Sequence, residues 1–550
     1  MACILERLRG IDVRSRAGIP SEEHSRSALD EFAQSGAAFA CSHPKLENVY
    51  YRAIHDLTQC IVPSPNGSPM LIEGANFIGL WLESTGTIST EVLSRFCPRA
   101  AQSSFCQFAD YRREDGLLPY KVTPDGPAYR QIQTVTPLAR SVWNHYRRNG
   151  DREFLEKMYR AMAANDNWLA KYRDTRGTGC VEAFGTFDTG HDASPRFWHC
   201  PDVPFGSDPT QCDPDSPILP FLAPDITANV YCQRKYLGLM ADELGITGED
   251  WESKAQKSLN SLMEHCWDSE DRFFYDRDKH GRFVKVQGDN LLRVFECEVG
   301  DGALFEDALR RYLLNTRKFF SRYPMTTIAM DDPRFFQDTV YNTWAGQVSF
   351  LGNIRIPHAF EYHGRFVELS WIFHPLITAL SRFERFAMGL SPWVGREGYM
   401  ENYTPTMLFL LDALERTCGI YPTEDGRLWF TALIPRGIDY GQLVAEETGY
   451  RRRVDGAVFE LINSCGASCV YQDGELLYRF PEGIRLITDR SGQLEGIIGM
   501  SIRAIKGEVE CRGKKKPFTV QGNEILNLTG GDFISVSSPG VVPPSYSSSG

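Results

Sequence analysis

The 550 residues, 42% hydrophobic and 24% charged, have the length and balance of a globular chain with more than one domain and a large core. A formal net charge of −12 argues against nucleic acid or an anionic membrane surface as partner, since both select a basic face. Residues 1–9 lack the apolar run of a secretory signal, no stretch approaches ~18 apolar residues, and the 15 cysteines are scattered and odd in number, so a cytoplasmic protein without a disulfide framework is expected.

Residues 1–45 are rich in Ser, Arg and Glu with weak periodicity and are expected to form an irregular N-terminal arm. From 46 to 424, helical spacing of apolar residues alternates with Gly- or Pro-bearing turns. Helices are expected over 46–60, 74–82, 89–111, 136–148, 151–172, 226–244, 250–266, 290–299, 303–315, 339–350, 366–388 and 406–417. The segment 151–172 is clearest: Phe154, Leu155, Met158, Tyr159, Met162, Trp168, Leu169 and Tyr172 share a face, after an Asn149-Gly150-Asp151 start signal. Only 272–286 reads as a short hairpin. About twelve helices, taken as roughly six hairpins, can close into an (α/α)6 toroid whose inner helix ends open onto a funnel, and no known solenoid signature recurs. From 425 to 530, short apolar or alternating runs are divided by turns such as Asp455-Gly456, Asp473-Gly474 and Ser491-Gly492, the texture of a β-sandwich. The Ser- and Pro-rich stretch 531–550 is expected to be disordered. The expected fold class is therefore mainly α, a six-hairpin toroid with a C-terminal β-sandwich domain.

Two loops carry candidate chemistry. In 185–198, Asp188 and Asp192 sit among Gly, Ser and Pro beside Phe187, Phe197 and Trp198, a mixture of hydrogen-bonding groups and flat apolar faces that suits a sugar. An Asx-rich turn capping the next element accounts for the same residues. In 398–405, Glu401 lies between Tyr399 and Tyr403, where a partly dry setting would tune its pKa; a helix-start carboxylate favoured by the dipole is the structural alternative. Cleavage of a glycosidic bond with inversion needs two such carboxyl groups, an acid and a base, ~6.5–9.5 Å apart.

The two loops together resemble glycoside hydrolase family 63 and its mannosylglycerate hydrolase-like branch. Gly190-His191-Asp192-Ala193-Ser194-Pro195-Arg196 is similar to the family's Gly-x-Asp-Asn-Ser-Pro-Arg acid loop, with Ala193 in place of Asn. Glu401-Asn402-Tyr403-Thr404-Pro405 is similar to its Glu-x-Tyr-Asn-Pro base loop, with Thr404 in place of Asn. Between them, Asp331-Asp332-Pro333 and the run from Tyr341 to Gln347 resemble its Asp-Asp-Pro and sugar-contacting Tyr-Trp-Arg-Gly-Pro-Val segments, without the Arg. Weaker matches keep the family's order across about residues 70 to 420, among them Gly116 to Pro119, Gly150 to Leu155, Asp225 with Asn229, and 267–283.

The resemblance implies Asp192 as general acid, its pKa raised by burial beside Trp198 and by neighbouring carboxylates, and Glu401 as general base, with Glu397 in reserve. Trp344, Tyr341 and Gln347 would wall the first sugar subsite, with Phe187, Trp198, Asp188, Asp225 and Tyr403 as further substrate contacts. Arg196 is either a clamp on the sugar or on a carboxylate-bearing aglycone, or an internal partner of Asp188, the preferred reading. The 199–224 loop is long enough to fold over the pocket as a lid. The expected activity is an inverting hydrolase of a small exo-presented α-glucoside or α-mannoside, needing no metal or cofactor, with a small carbohydrate as substrate and neither nucleic acid nor membrane as partner. A rhamnosidase-like hydrolase, a sugar epimerase with a histidine base, or a non-catalytic sugar-binding scaffold on the same fold are the alternatives. Asp276-x-Asp278-x-His280-Gly281 resembles the start of a calcium loop, but the third ligand is His280 and position twelve is Gln287 rather than Glu, so a hairpin turn is expected; His358, His363 and His374 fit no zinc template.

Overall fold

The computed structural model describes residues 2–337, 340–437 and 444–546, a mixture of helix and sheet. Helices follow one another in packed pairs, and the turn chemistry shows why. Leu138–Asn149 ends on Gly150 at φ +73°, and the Asp151 side chain then caps Arg152–Tyr172 by accepting from Phe154 N at 3.0 Å. Pro224–Leu244 ends likewise on Gly245, and Asp250 caps the antiparallel Trp251–His265. Thr404–Cys418 is the hub: all of its residues are buried, and it packs against Pro44–Gln59, Phe366–Leu380 and the strand Arg427–Thr431. Its two acidic residues are matched inside by arginines, Asp412 by Arg95 and Arg416, Glu415 by Arg95 and Arg452. Buried charge of this kind persists only when paired.

Two antiparallel sheets complete the chain. The seven-stranded one runs Ala38–Cys41, Glu447–Val454, Ala457–Ser464, Ala467–Gln472, Glu475–Phe480, Ile505–Cys511 and Lys514–Val520. The six-stranded one runs Ile420–Pro422, Arg427–Thr431, Ile484–Asp489, Leu494–Gly499, Ile525–Thr529 and Asp532–Ser537. Side chains of both sheets, such as Leu461, Val470, Phe430 and Leu486, belong to the same hydrophobic core as the helices.

Several expectations need correction. Residues 1–45 are not irregular: Ala2–Arg9, Val13–Ala17 and Glu23–Gln34 are helices, and Ala38–Cys41 is a strand. The apolar positions Ile4, Leu8, Val13, Leu29 and Phe32 are inside, while most of the Ser and Arg that obscured the period, Ser25 excepted, are partly or fully exposed. The expected helix 74–82 is absent, because Gly74 at φ +153° sits where a side chain would strike Asn402 O at 2.7 Å. The expected helix 89–111 is two, Ile88–Leu93 and Pro98–Asp110, divided where Pro98 opens the second. In the expected helix 339–350, Thr339 lies outside the described residues, 340–347 are not helical, and a helix begins only at Phe350. Nor is the stretch from 531 wholly unstructured: Asp532–Ser537 is a strand, and Ser545 O accepts from Thr316 N at 3.0 Å.

Candidate active site

Asp192 lines a chamber with Glu73, Phe77, Trp81, Glu83, Asn342, Trp344, Met388 and Tyr403. The chamber leaves about 50 Å³ free, room for water but well below the ~300–1,000 Å³ of small-molecule sites. Three acidic side chains therefore share one small aromatic-walled space. Burial, reinforced by the nearby Glu83 and Asp202 charges, pushes the Asp192 carboxyl up to about 7. Asn342 Nδ2 donates to Asp192 Oδ2 at 2.5 Å and pulls the other way, and Trp344 N donates to the Asp192 carbonyl at 3.0 Å. Burial likewise lifts Glu73 to about 8, against a hydrogen bond from Tyr403 Oη at 2.7 Å. Glu83 is raised by burial despite Arg293 Nη2 at 3.1 Å and Arg355 Nη2 at 3.6 Å.

The loop holding Asp192 is anchored by a buried charge lattice. Arg196 donates to Asp225 at 2.9 and 3.0 Å and to Asp276 at 2.7 Å through two of its nitrogens. Its Nη1 also lies 2.6 Å from His191 Nδ1, while His191 Nε2 stands 2.9 Å from Asp289. Burial, with Arg293 next, pushes His191 down to about 3, so the imidazole is neutral. Gly190, at φ +66°, lets Glu83 lie against the loop: a Cβ there would fall 1.6 Å from Glu83 Oε2.

The expected Arg196–Asp188 pair does not form. Asp188 is paired instead with Arg173 at 2.6 Å and accepts from the Phe184 and Ile132 amides, so it holds the loop from behind. Asp225 is consumed by Arg196 and Arg293 in the same way, and neither carboxylate lines the chamber. Trp198 is 46% exposed with its Nε1 on the Ala193 carbonyl, so the apolar surroundings of Asp192 come from Phe77, Trp81 and Trp344 rather than from Trp198. Phe187 is half-buried, and Tyr341 is 66% exposed. Gln347 is buried with its amide on the Thr343 carbonyl. Among the expected sugar contacts, only Trp344 and Tyr403 face the chamber. The 199–224 loop is tied to the acid loop, its Pro201 and Asp202 carbonyls accepting from Thr186 N and Phe187 N.

Glu401 lies in an adjoining depression of about 840 Å³ with Asn76, Val340, Arg382, Arg385, Arg396 and Glu397. Its side chain is 65% exposed, 3.7 Å from Arg385. The two spaces are neighbours: segments 76–77, 340–342 and 400–403 each contribute to both. Glu73, Glu83, Trp81 and Asn342 were not singled out in the sequence. The glycines at 74 and 79, flanking two carboxylates and three aromatic or amide residues, were the available signal, hidden by reading the segment as a helix.

The sequence model of the mannosylglycerate hydrolase MGH1-like glycoside hydrolase domain matches residues 80–407, more than half of the chain. The chain belongs to that family. It is thus a glycoside hydrolase by family. Among solved structures it is similar to the family 63 mannosylglycerate hydrolase of Thermus thermophilus in complex with Tris, at 17% identity and TM-score 0.56, over 66% of this chain and 99% of that one. A sialidase is similar at 15% identity and TM-score 0.61, covering 86% and 42%. The family 78 rhamnosidase of Bacillus sp. GL1 follows at 12% identity and TM-score 0.51, covering 78% and 40%. At these identities the likeness is one of fold. No curated protein matches the chain by sequence. Among the described residues, no helix is long and apolar enough to cross a membrane.

Proposed function

We propose that the protein hydrolyses a small exo-presented glycoside with inversion, Asp192 acting as general acid and Glu401 as general base. The observation that carries this reading is the setting of Asp192: buried at the wall of an aromatic chamber, which pushes its carboxyl up to about 7, within the family's acid-loop motif. Trp344 and Trp81 would supply flat faces for a pyranose entering from the adjoining depression, and Glu83 an acceptor for its hydroxyls. Glu401 would draw the proton from water after its exposed side chain turns inward from the adjoining depression. The bond expected from the family name is an α-mannoside or α-glucoside, and the paired helices support closure as an (α/α)6 toroid. An epimerase is disfavoured because His191 is enclosed by Arg196 and Asp289 and lies outside the chamber lining.

One observation favours a second assignment of the base: Glu83, unlike Glu401, already lies in the chamber of Asp192, beside Arg293 and Arg355. Aryl and disaccharide α-glycosides assayed with Asp192→Asn and Glu401→Gln separate the possibilities. Each change is expected to lower kcat by at least ~10³. Full activity in Glu401→Gln would move the base to Glu83, and activity surviving in Asp192→Asn would end the proposal.

A further inference from the structure

The Glu401 turn is an improbable piece of backbone. Met400 is left-handed at φ +79°, beside Asn402, a residue that takes this region readily, at +50°. A left-handed methionine persists only where the surroundings over-determine it. Those surroundings are supplied by a segment more than three hundred residues earlier in the chain, Ile72 to Gly74. Tyr403 Oη donates to Glu73 Oε1 at 2.7 Å, and Thr404 N donates to the Glu73 carbonyl at 2.9 Å. Thr404 Oγ1 lies 3.0 Å from both the Ile72 and Glu73 carbonyls. Gly74 completes the fit, since a Cβ there would stand 2.7 Å from Asn402 O and 2.8 Å from Met400 Cε.

Resting on the assignment of Glu401 as base, we propose that Glu73 is a positioning residue, which through Tyr403, and with Thr404 beside it, sets the Glu401 turn at the edge of the Asp192 chamber. The departure at Thr404 from the base-loop pattern then has a role: its hydroxyl reaches carbonyls of the 72–74 segment. Glu73 is buried, and its proton at neutral pH leaves Oε1 as an acceptor for Tyr403 without placing another full charge beside Glu83 and Asp192. A glutamine preserves that acceptor, whereas an alanine removes it.

The test compares Glu73→Ala, Glu73→Gln and Thr404→Val in the full chain, using 4-nitrophenyl α-mannoside and α-glucoside together with amide hydrogen exchange. Glu73→Ala is expected to lower kcat by ~30-fold with KM changed less than ~3-fold, because misplacement of a reacting group is felt in the chemical step. Glu73→Gln should recover most of that loss, and Thr404→Val, nearly isosteric, should lose ~5-fold. Exchange at 400–404 should rise ~10-fold in Glu73→Ala while that of 185–196 is unchanged. A kcat within ~3-fold of wild type in Glu73→Ala, with exchange unaltered, would overturn the proposal, as would Glu73→Gln being as damaged as Glu73→Ala. Should the wild-type chain cleave no glycoside, the hydrolase reading fails by itself, and the exchange data still decide whether Glu73 anchors the turn.

Discussion

At the scale of single residues, the acid is the most testable feature. With Asp192 pushed up to about 7, its protonated form is lost as pH rises, so kcat/KM is expected to fall on the alkaline side from about pH 7. The hydrogen bond from Asn342 favours the ionised form, so Asn342→Ala should move that limb to higher pH. A limb unmoved, or moved down, would show that Asn342 does not face the acid in solution. Ala193, next in the chain, is left-handed at φ +56°, a conformation that costs alanine about 1 kcal/mol or more. Ala193→Asn, which restores the residue usual in the resembled motif and tolerates this region, is expected to stabilise by ~0.5–1 kcal/mol in denaturant unfolding. That Asp192 and Trp344 share one chamber was legible in the sequence because motif and loop chemistry agree there. Asp188 and Asp225 were misread as sugar contacts because a carboxylate sequestered by a distant arginine looks the same, in one dimension, as one awaiting a ligand.

Among the elements, long helices with clear caps were legible and segments governed by packing were not. Arg152–Tyr172 and Trp251–His265 follow from apolar period and an aspartate cap. The 74–82 segment fails as a helix because its conformation is dictated by the Glu401 turn lying against it, a contact invisible to local periodicity. The short N-terminal helices were obscured because a few buried residues among many exposed Arg and Ser dilute the signal. The tightest joint between elements is that of Gly190 with Glu83. Gly190→Ala would force Glu83 from its arginines and strain a left-handed position, so a loss of ~3 kcal/mol or more is expected, with activity lost before the fold in a urea series.

For the molecule as a whole, the chamber trades stability for reactivity. Glu73 and Asp192 retain protons up to about pH 8 and 7 when folded, whereas carboxyls of the unfolded chain release them near ~4. Between those limits these two groups bind more protons in the folded state than in the unfolded, and their contribution to stability falls as pH rises. Asp225, held low by arginine, acts with the opposite sign at lower pH, and the buried neutral histidines His145, His191, His363 and His374 do so up to the ~6.5 of an unfolded imidazole. Above that, from about pH 7 to 8, the Tm is expected to decline, and Glu73→Gln to recover ~2 °C at pH 8 relative to wild type. An equal decline in the variant would mean that Glu73 ionises freely.

The pairing of Ala38–Cys41 with Thr448 to Arg451 also has a consequence for how the chain is born. On a ribosome adding ~5–20 residues each second, the strand emerges about 20–80 seconds before its mate exists. Throughout that interval a short apolar edge, Ala-Phe-Ala-Cys, stands without a ladder, able to template on any neighbouring nascent chain. Holdase chaperones acting on the first 45 residues, and slow synthesis at low temperature, should therefore govern yield more than any change in the finished protein's thermodynamics.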